Sequence, residues 1–270
     1  MTKRFFFIVF LSLLCINNYE TAYGAEKNRA YWESTGKVVW EVNTKEKVIA
    51  LTFDDGPDPL YTPQIIQLLN KYQAKATFFV VGQKAKNNPA IIKELKQNGH
   101  EIGNHTYFHP SLYRISFARL KKEIEDTDSI IYAITGVSPT FFRPPGGVYN
   151  EKVVEAAKQG NHLLVMWSWT QDTKDWKNPG IQKIVDKVCK NAKPGNIVLF
   201  HDAGGNRTQT VQALDIILNK LSKEGYTFVT VSQLLAYKAR NAHKSVTEQY
   251  RTNGAGNKSY HRFFFFILRP

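Results

Sequence analysis

The sequence predicts an α/β fold, and within that class a distorted (β/α) barrel, from three observations. Short apolar runs of strand length alternate with amphipathic runs of helix length, which favours parallel strands joined by crossover helices. About seven such units can be counted, fewer than the eight of a complete barrel. Polar clusters directly follow several of the apolar runs, where the active-site loops of a barrel leave the carboxyl ends of its strands. An open, doubly wound sheet is the alternative.

The elements follow one another in a regular order after a polar beginning. Residues 25–46 are polar with scattered aromatic side chains and are predicted to form a lead-in segment or an edge strand. Strands are expected at 48–53, 76–81, 101–104, 140–142, 163–169, 197–200 and 227–231. Helices are expected at 62–72, 89–98, 117–132, 150–159, 181–191, 210–224 and 233–238. One domain, 47–238, accounts for these elements.

The two ends of the chain differ in composition from this domain. Residues 1–24 resemble a secretory signal peptide, because a basic tip precedes an apolar run and small residues stand near the cleavage position. That run is shorter than the roughly 20 residues that span a bilayer, so membrane attachment is expected only if the leader is retained. Residues 239–270 are basic and predicted to be a disordered tail. Cys189 is the one cysteine after the leader, so no intramolecular disulfide is expected.

The net charge of the chain indicates which kinds of partner it would attract. The formal net charge is +13, which attracts polyanions. The sequence has no nucleic-acid-binding signature and carries an export signal, so anionic polymers of a bacterial wall are favoured over nucleic acid. Solubility explains the same charge equally well. A secreted or wall-associated monomer is expected.

Two histidines and a distant aspartate are candidate metal ligands. His105 and His109 are four residues apart, which would place both imidazoles on one side of a helical turn. Asp55 would complete the three-ligand set of a catalytic zinc site, which leaves one position open for water. Taken alone, the histidine pair is explained equally well by a structural or surface role.

Two further motifs have both a chemical and a structural interpretation. In Asp54-Asp55-Gly56 the two carboxylates can converge at the strand end, one on the metal and one as general base. The alternative is a turn in which aspartate caps the next segment and Gly56 supplies a positive φ. Arg143 precedes a Pro-Pro-Gly-Gly turn at 144–147, which suits an oxyanion but is also an ordinary connector.

The last candidates lie toward the C-terminus. Asp172 and Asp175 form an acid pair beside the aromatic plate of Trp176. His201 directly follows the apolar run 197–200, where it is placed to protonate a leaving amine. Each of these residues could instead be a satisfied structural group.

In these motifs the chain resembles the polysaccharide deacetylases with a NodB homology domain, carbohydrate esterase family 4, over about residues 47–235. The five family motifs occur in order as Thr52-Phe53-Asp54-Asp55-Gly56, His105-Thr106-Tyr107-Phe108-His109-Pro110, Arg143-Pro144-Pro145-Gly146-Gly147, Asp172-x-x-Asp175-Trp176 and Leu199-Phe200-His201. The resemblance implies a distorted (β/α) barrel that removes acetyl groups from N-acetylated sugars of peptidoglycan or chitin-like chains.

The resemblance also implies a role for each matching residue. A divalent ion, usually zinc but also cobalt or a similar ion, would be held by Asp55, His105 and His109. The general base would be Asp54, oriented by Arg143, and the general acid would be His201. Asp172 would belong to the network that tunes acid and base. Substrate contacts would come from Pro145, Gly146, Trp176 and Leu199, with a backbone N–H near Gly146 facing the oxyanion.

Two positions bear on substrate and activity. Many family members have tyrosine where this chain has Gly146, so an aromatic wall of the groove is missing. Members that act on muramic acid often have asparagine at the position of Asp55, so its presence favours N-acetylglucosamine units. The alternatives are a weakly active or inactive relative that binds glycan, and an O-acetyl esterase acting on a polysaccharide.

Overall fold

The computed structural model describes residues 27–238, so the predicted leader and tail lie outside the described residues. The chain divides into two compact units between Lys37 and Val38. The described part of the first unit contains one short helix, α1 (Arg29–Ser34), within the predicted lead-in. The side chain of Asn28 caps it by accepting from the N–H of Tyr31 at 3.1 Å.

The second unit is built on one parallel sheet. Its strands within the described residues are β1 (Val38–Val39), β2 (Val48–Asp54), β3 (Ala76–Val80), β4 (Glu101–Asn104), β5 (Phe141–Phe142), β6 (Leu163–Val165), β7 (Ile197–His201) and β8 (Thr227–Phe228). Their order is β1-β6-β5-β4-β3-β2-β7, and β8 pairs with β2. Strands β2 to β6 are neighbours in chain order without the reversal that defines a doubly wound sheet. The barrel prediction is therefore confirmed, and the doubly wound alternative is wrong.

The barrel is distorted where β6 meets β7. After β6 the chain runs beside β7 without forming a regular strand. The N–H of Ser168 donates to the carbonyl of Ile197 at 2.9 Å, and Thr173 Oγ1 donates to the carbonyl of Leu199 at 2.7 Å. The strand predicted at 163–169 is shorter than expected because this irregular segment occupies the position of its second half.

Helices cover the outside of the sheet. They are α2 (Tyr61–Lys71), α3 (Gly82–Asn87), α4 (Pro89–Gln97), α5 (Phe117–Thr135), α6 (Glu151–Gln159), α7 (Ile181–Cys189), α8 (Thr208–Lys223) and a closing helix at 231–238. All seven predicted helices are present. The short α3 was not predicted, because its buried residues are only Gly82 and Ala85 and it shows no apolar period. No helix in the described part of the chain is long and apolar enough to cross a membrane.

The alternation of side chains along β2 decides what points into the barrel. Leu51 and Phe53 belong to the large cluster that includes helix residues, whereas Ala50 belongs to the smaller inner cluster. Because successive strand residues point to opposite faces, Thr52 and Asp54 share the inner face with Ala50. The strand therefore places Asp54 at the carboxyl end of the barrel strands, which is the mouth of the barrel.

Candidate functional site

Three potential metal ligands converge at the mouth of the barrel. Asp55 Oδ1 lies 3.5 Å from His105 Nε2 and 3.2 Å from His109 Nε2. One ligand atom from each residue lies within 4.8 Å of the others. Donor atoms around a tetrahedral zinc ion, at bond lengths of about 2.0–2.1 Å, are roughly 3.3 Å apart. The two separations from Asp55 Oδ1 therefore already match those around a divalent ion.

The two histidines are brought together by a loop. The expectation of a helical turn is wrong, because His105 to His109 have no helical conformation. Thr106 has φ 68° and His109 has φ 54°, both in the left-handed region that non-glycine residues rarely occupy. These two residues reverse the chain so that both Nε2 atoms face Asp55.

Hydrogen bonding orients His105, and nearby charges keep Asp55 ionised. His105 Nδ1 lies 2.7 Å from the carbonyl oxygen of Arg143, which can only accept, so Nδ1 donates and Nε2 faces Asp55. Burial raises the pKa of Asp55, but the hydrogen bond to His105 and the charges of the surrounding histidines outweigh burial and hold this pKa well below its ordinary value. Asp55 is thus ready to bind a cation as a carboxylate.

Asp54 is held by a fully buried arginine. Arg143 Nη1 donates to Asp54 Oδ1 and to Thr52 Oγ1, both at 2.8 Å. Its other nitrogens donate to the carbonyls of residues 165 and 166. Because every nitrogen of the guanidinium has an acceptor, Asp54 is fixed in one orientation, with Oδ2 left 3.9 Å from His105 Nε2.

His201 is held by Asp175 at the end of β7. Its Nδ1 lies 2.7 Å from Asp175 Oδ1, and its backbone N–H donates to Asp175 Oδ2 at 2.9 Å. Thr210 Oγ1 also donates to Oδ2, at 2.8 Å. Burial lowers the pKa of His201, but the hydrogen bond and charge of Asp175 outweigh burial and raise this pKa to about 9. The imidazole is therefore protonated at neutral pH.

The acid that contacts His201 is Asp175, whereas the sequence resemblance assigned the tuning network to Asp172. Asp172 Oδ1 instead accepts from the backbone N–H of Lys174 at 3.2 Å, within its own loop. Lys174 has φ 51°, and this left-handed turn directs Asp175 toward β7. The spacing of the two acids gave no indication of which one would face the histidine.

A buried aspartate that the sequence analysis missed lies beneath the Asp54-Asp55-Gly56 turn. Asp202 Oδ2 accepts from Thr62 Oγ1 at 2.5 Å, and burial together with the charge of Asp55 raises the pKa of Asp202 to about 7. A Cβ at Gly56 would lie 2.2 Å from that carboxylate, so glycine is required by close approach. The alternative in which Gly56 supplies a positive φ is wrong: Asp55 has φ 75°, and Asp58 Oδ1 accepts from the N–H groups of Leu60 and Tyr61 where α2 begins.

The four predicted substrate-contacting residues lie on three segments around the mouth. Pro145 and Gly146 form a short 3₁₀ turn after β5, and Gly146 has φ 67°. Trp176 is 49% exposed, with Lys177 Nζ 4.8 Å from its ring centre. Leu199 is buried in β7, on the same face of the strand as His201. A tyrosine at Gly146 would be strained at this φ, although the space in front of it is open.

Comparison with known proteins agrees with this site. A family model for polysaccharide deacetylases matches residues 41–164. A peptidoglycan-N-acetylglucosamine deacetylase of Bacillus cereus is 51% identical over 206 residues, which are 76% of this chain and 96% of that protein.

Solved structures agree as well. The Bc1960 peptidoglycan N-acetylglucosamine deacetylase, crystallised in complex with a substituted benzamide, matches with a TM-score of 0.73 and 35% identity over 77% of this chain and 96% of that one. A family 4 acetyl xylan esterase from Clostridium thermocellum, in complex with a cobalt ion, matches with a TM-score of 0.65 and 35% identity over 72% of this chain and 92% of that one. The chain belongs to the polysaccharide deacetylase family.

Proposed function

We propose that this protein is a metal-dependent N-deacetylase that removes acetyl groups from N-acetylglucosamine units of peptidoglycan. One observation carries the proposal: a three-ligand cluster and two separate proton-transfer groups share the barrel mouth. Asp54 lies beside His105 on one side, and His201 ends the neighbouring strand on the other. Family membership and the substrate named for the Bacillus cereus relative support the glycan and the bond.

The residues that would hold the ion are Asp55, His105 and His109. The ion is proposed to be zinc, with cobalt an acceptable substitute, as in the acetyl xylan esterase structure. When bound, such an ion lowers the pKa of water toward about 7 and polarises a carbonyl oxygen.

The protein's own groups move the protons. Hydrolysis of an amide needs a base for the attacking water and an acid for the departing nitrogen. Asp54 accepts the proton of the water that attacks the acetyl carbonyl, with Arg143 holding its carboxylate in place. His201, protonated because Asp175 raises its pKa, donates a proton to the sugar nitrogen. The carbon–nitrogen bond breaks and leaves acetate and a free amine.

The substrate-binding role of the remaining mouth residues belongs to the same proposal. Trp176 offers a half-exposed ring and Leu199 an apolar floor next to His201. Pro145 and Gly146 form the turn whose backbone N–H would face the developing oxyanion. This arrangement would place the acetyl group between the acid and the base.

We infer that the protein acts outside the cell, at the wall. Peptidoglycan is the substrate named for the relative, and residues 1–24 have the composition of an export signal. The net charge of +13 suits attraction to anionic wall polymers. We expect a monomer whose catalytic domain is 47–238, without nucleic-acid binding and with membrane attachment only through an uncleaved leader.

An O-acetyl esterase is the second candidate. It is favoured by the likeness to an acetyl xylan esterase, at 35% identity. An ester needs less help from the general acid than an amide, because its leaving group is an alcohol. The two candidates therefore differ in how strongly each depends on His201.

Acetate release tests the proposal. The purified protein is incubated with N-acetylglucosamine oligomers, peptidoglycan or acetylated xylan, after chelation and again after zinc is restored, with an Asp54→Asn variant as control. Zinc-dependent release from peptidoglycan or the oligomers, absent in the control, is expected. Faster release from xylan would favour the esterase. Release no faster than that of Asp54→Asn, with metal bound, would indicate an inactive glycan-binding relative.

A further inference from the structure

The loop that carries His105 and His109 is held from outside. Its two left-handed residues, Thr106 and His109, occupy a sparsely populated backbone region that persists only where surrounding contacts fix it. Asn104 Oδ1 accepts from the N–H of Thr106 at 2.8 Å, just after β4. This bond fixes the start of the loop and leaves the peptides between the histidines to other partners.

The N–H groups of those central peptides are held by one carboxylate of α5, while the carbonyls of Thr106 and Tyr107 accept from the N–H groups of Gly82 and Gln83 at the start of α3, both at 3.0 Å. Glu123 Oε2 accepts from the N–H of Tyr107 at 2.9 Å and from the N–H of Phe108 at 2.8 Å. The side chain of Glu123 is 2% exposed, so it is held against the loop by burial. Its other oxygen accepts from Arg119, through Nε at 2.9 Å and Nη2 at 2.7 Å. Glu123 is thus a buried acceptor for two consecutive N–H groups.

The position of these two N–H groups connects Glu123 to the metal site. Tyr107 and Phe108 lie between the two histidines in the chain, so anchoring their peptides sets the direction in which the loop reaches His109. The side chain of His109 is 42% exposed and its Nε2 lies 3.2 Å from Asp55 Oδ1, while its backbone N–H donates to Thr106 Oγ1 at 3.2 Å. The position of His109 therefore depends on how this loop is anchored, and Glu123 is the side chain that binds the two N–H groups between the histidines.

We propose that Glu123 is a positioning residue that holds the His105–His109 loop in the conformation in which both histidines bind one metal ion. This inference rests on the proposed function, because it assumes that the ion binds there. Groups behind metal ligands commonly change metal affinity by about 10- to 100-fold when removed. Glu123 would act in this way through the backbone of the loop.

The structure also predicts which feature of Glu123 matters. A single oxygen, Oε2, accepts both backbone N–H groups. The one carbonyl oxygen of glutamine can do the same, so Glu123→Gln should keep the anchor. Its amide would then face Arg119, whose side chain is 55% exposed and free to turn away. Glu123→Ala removes the acceptor. Glu123→Asp keeps the charge but shortens the side chain by one methylene, which moves the acceptor away from the loop.

The test measures the zinc dissociation constant of the purified protein by competition with a chromophoric chelator. Ile131→Ala is the matched control, because Ile131 is a buried core residue of the same helix away from the loop. Glu123→Ala is expected to weaken zinc binding about 10- to 100-fold, while Glu123→Gln stays close to the wild type. Ile131→Ala should lower the melting temperature of the chelated protein and leave zinc affinity unchanged.

The outcomes separate this inference from the proposed function. Equal zinc affinity in Glu123→Ala and Ile131→Ala would overturn the positioning role, and so would a glutamine variant as weak as the alanine variant. If Glu123→Ala does not fold, Glu123→Asp provides the comparison, with affinity expected between wild type and a 10-fold loss. Failure of the wild type itself to bind zinc or cobalt would overturn the proposed function, and the inference with it.

Discussion

The two halves of the site are built by different means. The proton side consists of Asp54, Arg143, Asp175 and His201. The metal side consists of Asp55, His105 and His109. Arg143 and Asp175 are completely buried, and their polar atoms have partners within the protein. On the metal side the side chain of His105 is 3% exposed, that of Asp55 20% and that of His109 42%, and the loop that carries the two histidines has two left-handed residues. The protein by itself therefore fixes the residues proposed for proton transfer, whereas the proposed metal ligands would be completed by the ion.

This difference predicts that the halves fail separately. Loss of a metal-side ligand should remove the ion and leave the fold, because none of the three ligands belongs to the hydrophobic core clusters. Loss of a proton-side group should leave the ion and alter turnover or its dependence on pH. A variant that mixes these outcomes would show that the two halves are one coupled unit.

The largest effect is expected for His105→Ala. Two remaining ligands hold a divalent ion poorly, so zinc should be lost on dialysis and acetate release should fall to background. Zinc content by atomic absorption and acetate release measure the two effects. The control is His100→Ala, since His100 is a buried histidine whose neighbours are Phe78 and Lys75 and which takes no part in the site. Retention of stoichiometric zinc by His105→Ala would place the metal elsewhere.

A slightly smaller effect is expected for Asp54→Asn. The amide oxygen still accepts from Arg143, so the fold and the zinc should remain, but the general base is gone. Loss of a general base typically lowers kcat by about 10²- to 10⁴-fold. Measurement of kcat and zinc content on the same preparation provides the contrast with His105→Ala. Equal loss of zinc in both variants would show that the division into two halves is wrong.

The third-largest effect is expected for Asp175→Asn, in which the pH dependence of kcat should change. Without the anion, burial lowers the pKa of His201, so the acid is deprotonated at a lower pH than about 9. The alkaline limb of kcat should move down by about one pH unit or more. In the chelated protein, the raised pKa of His201 stabilises the fold below about 6.5, and this stabilisation is lost as pH rises through about 9. The free energy of unfolding in urea, measured at about pH 6.5 and again at about pH 9, should fall with pH in the wild type and much less in Asp175→Asn.

Much of the fold could be predicted from sequence because the alternation of apolar residues records which face of each strand is buried. In β2 the polar residues Asp54 and Asp55 stand directly where the strand ends. The pattern therefore predicted both the strand and the location of its polar end at the barrel mouth. The irregular chain between β6 and β7 could not be predicted in this way. Its hydrogen bonds to β7 involve Ser168 and Thr173, which carry no periodic signal.

The parts of the site that sequence reasoning missed are those set by tertiary contact. A spacing of four suits a helical turn, and contacts with Glu123 and with the N–H groups of Gly82 and Gln83 hold the histidine loop in a non-helical form. Asp202 looks like an ordinary loop residue until the fold places its carboxylate against Gly56. In each case a residue distant in the sequence decides a local conformation.

The smallest effect is expected for Asp172→Asn, and it sharpens the comparison within the proton side. Asp172 Oδ1 accepts from the N–H of Lys174, and an asparagine oxygen can do the same, so the loop should keep its shape. We expect kcat within about twofold of the wild type and an unchanged alkaline limb, because Asp175, not Asp172, contacts His201 and the asparagine keeps the bond to Lys174. Parallel pH profiles of Asp172→Asn and Asp175→Asn measure this. A shift of the alkaline limb in Asp172→Asn as large as that in Asp175→Asn would mean that both acids tune His201.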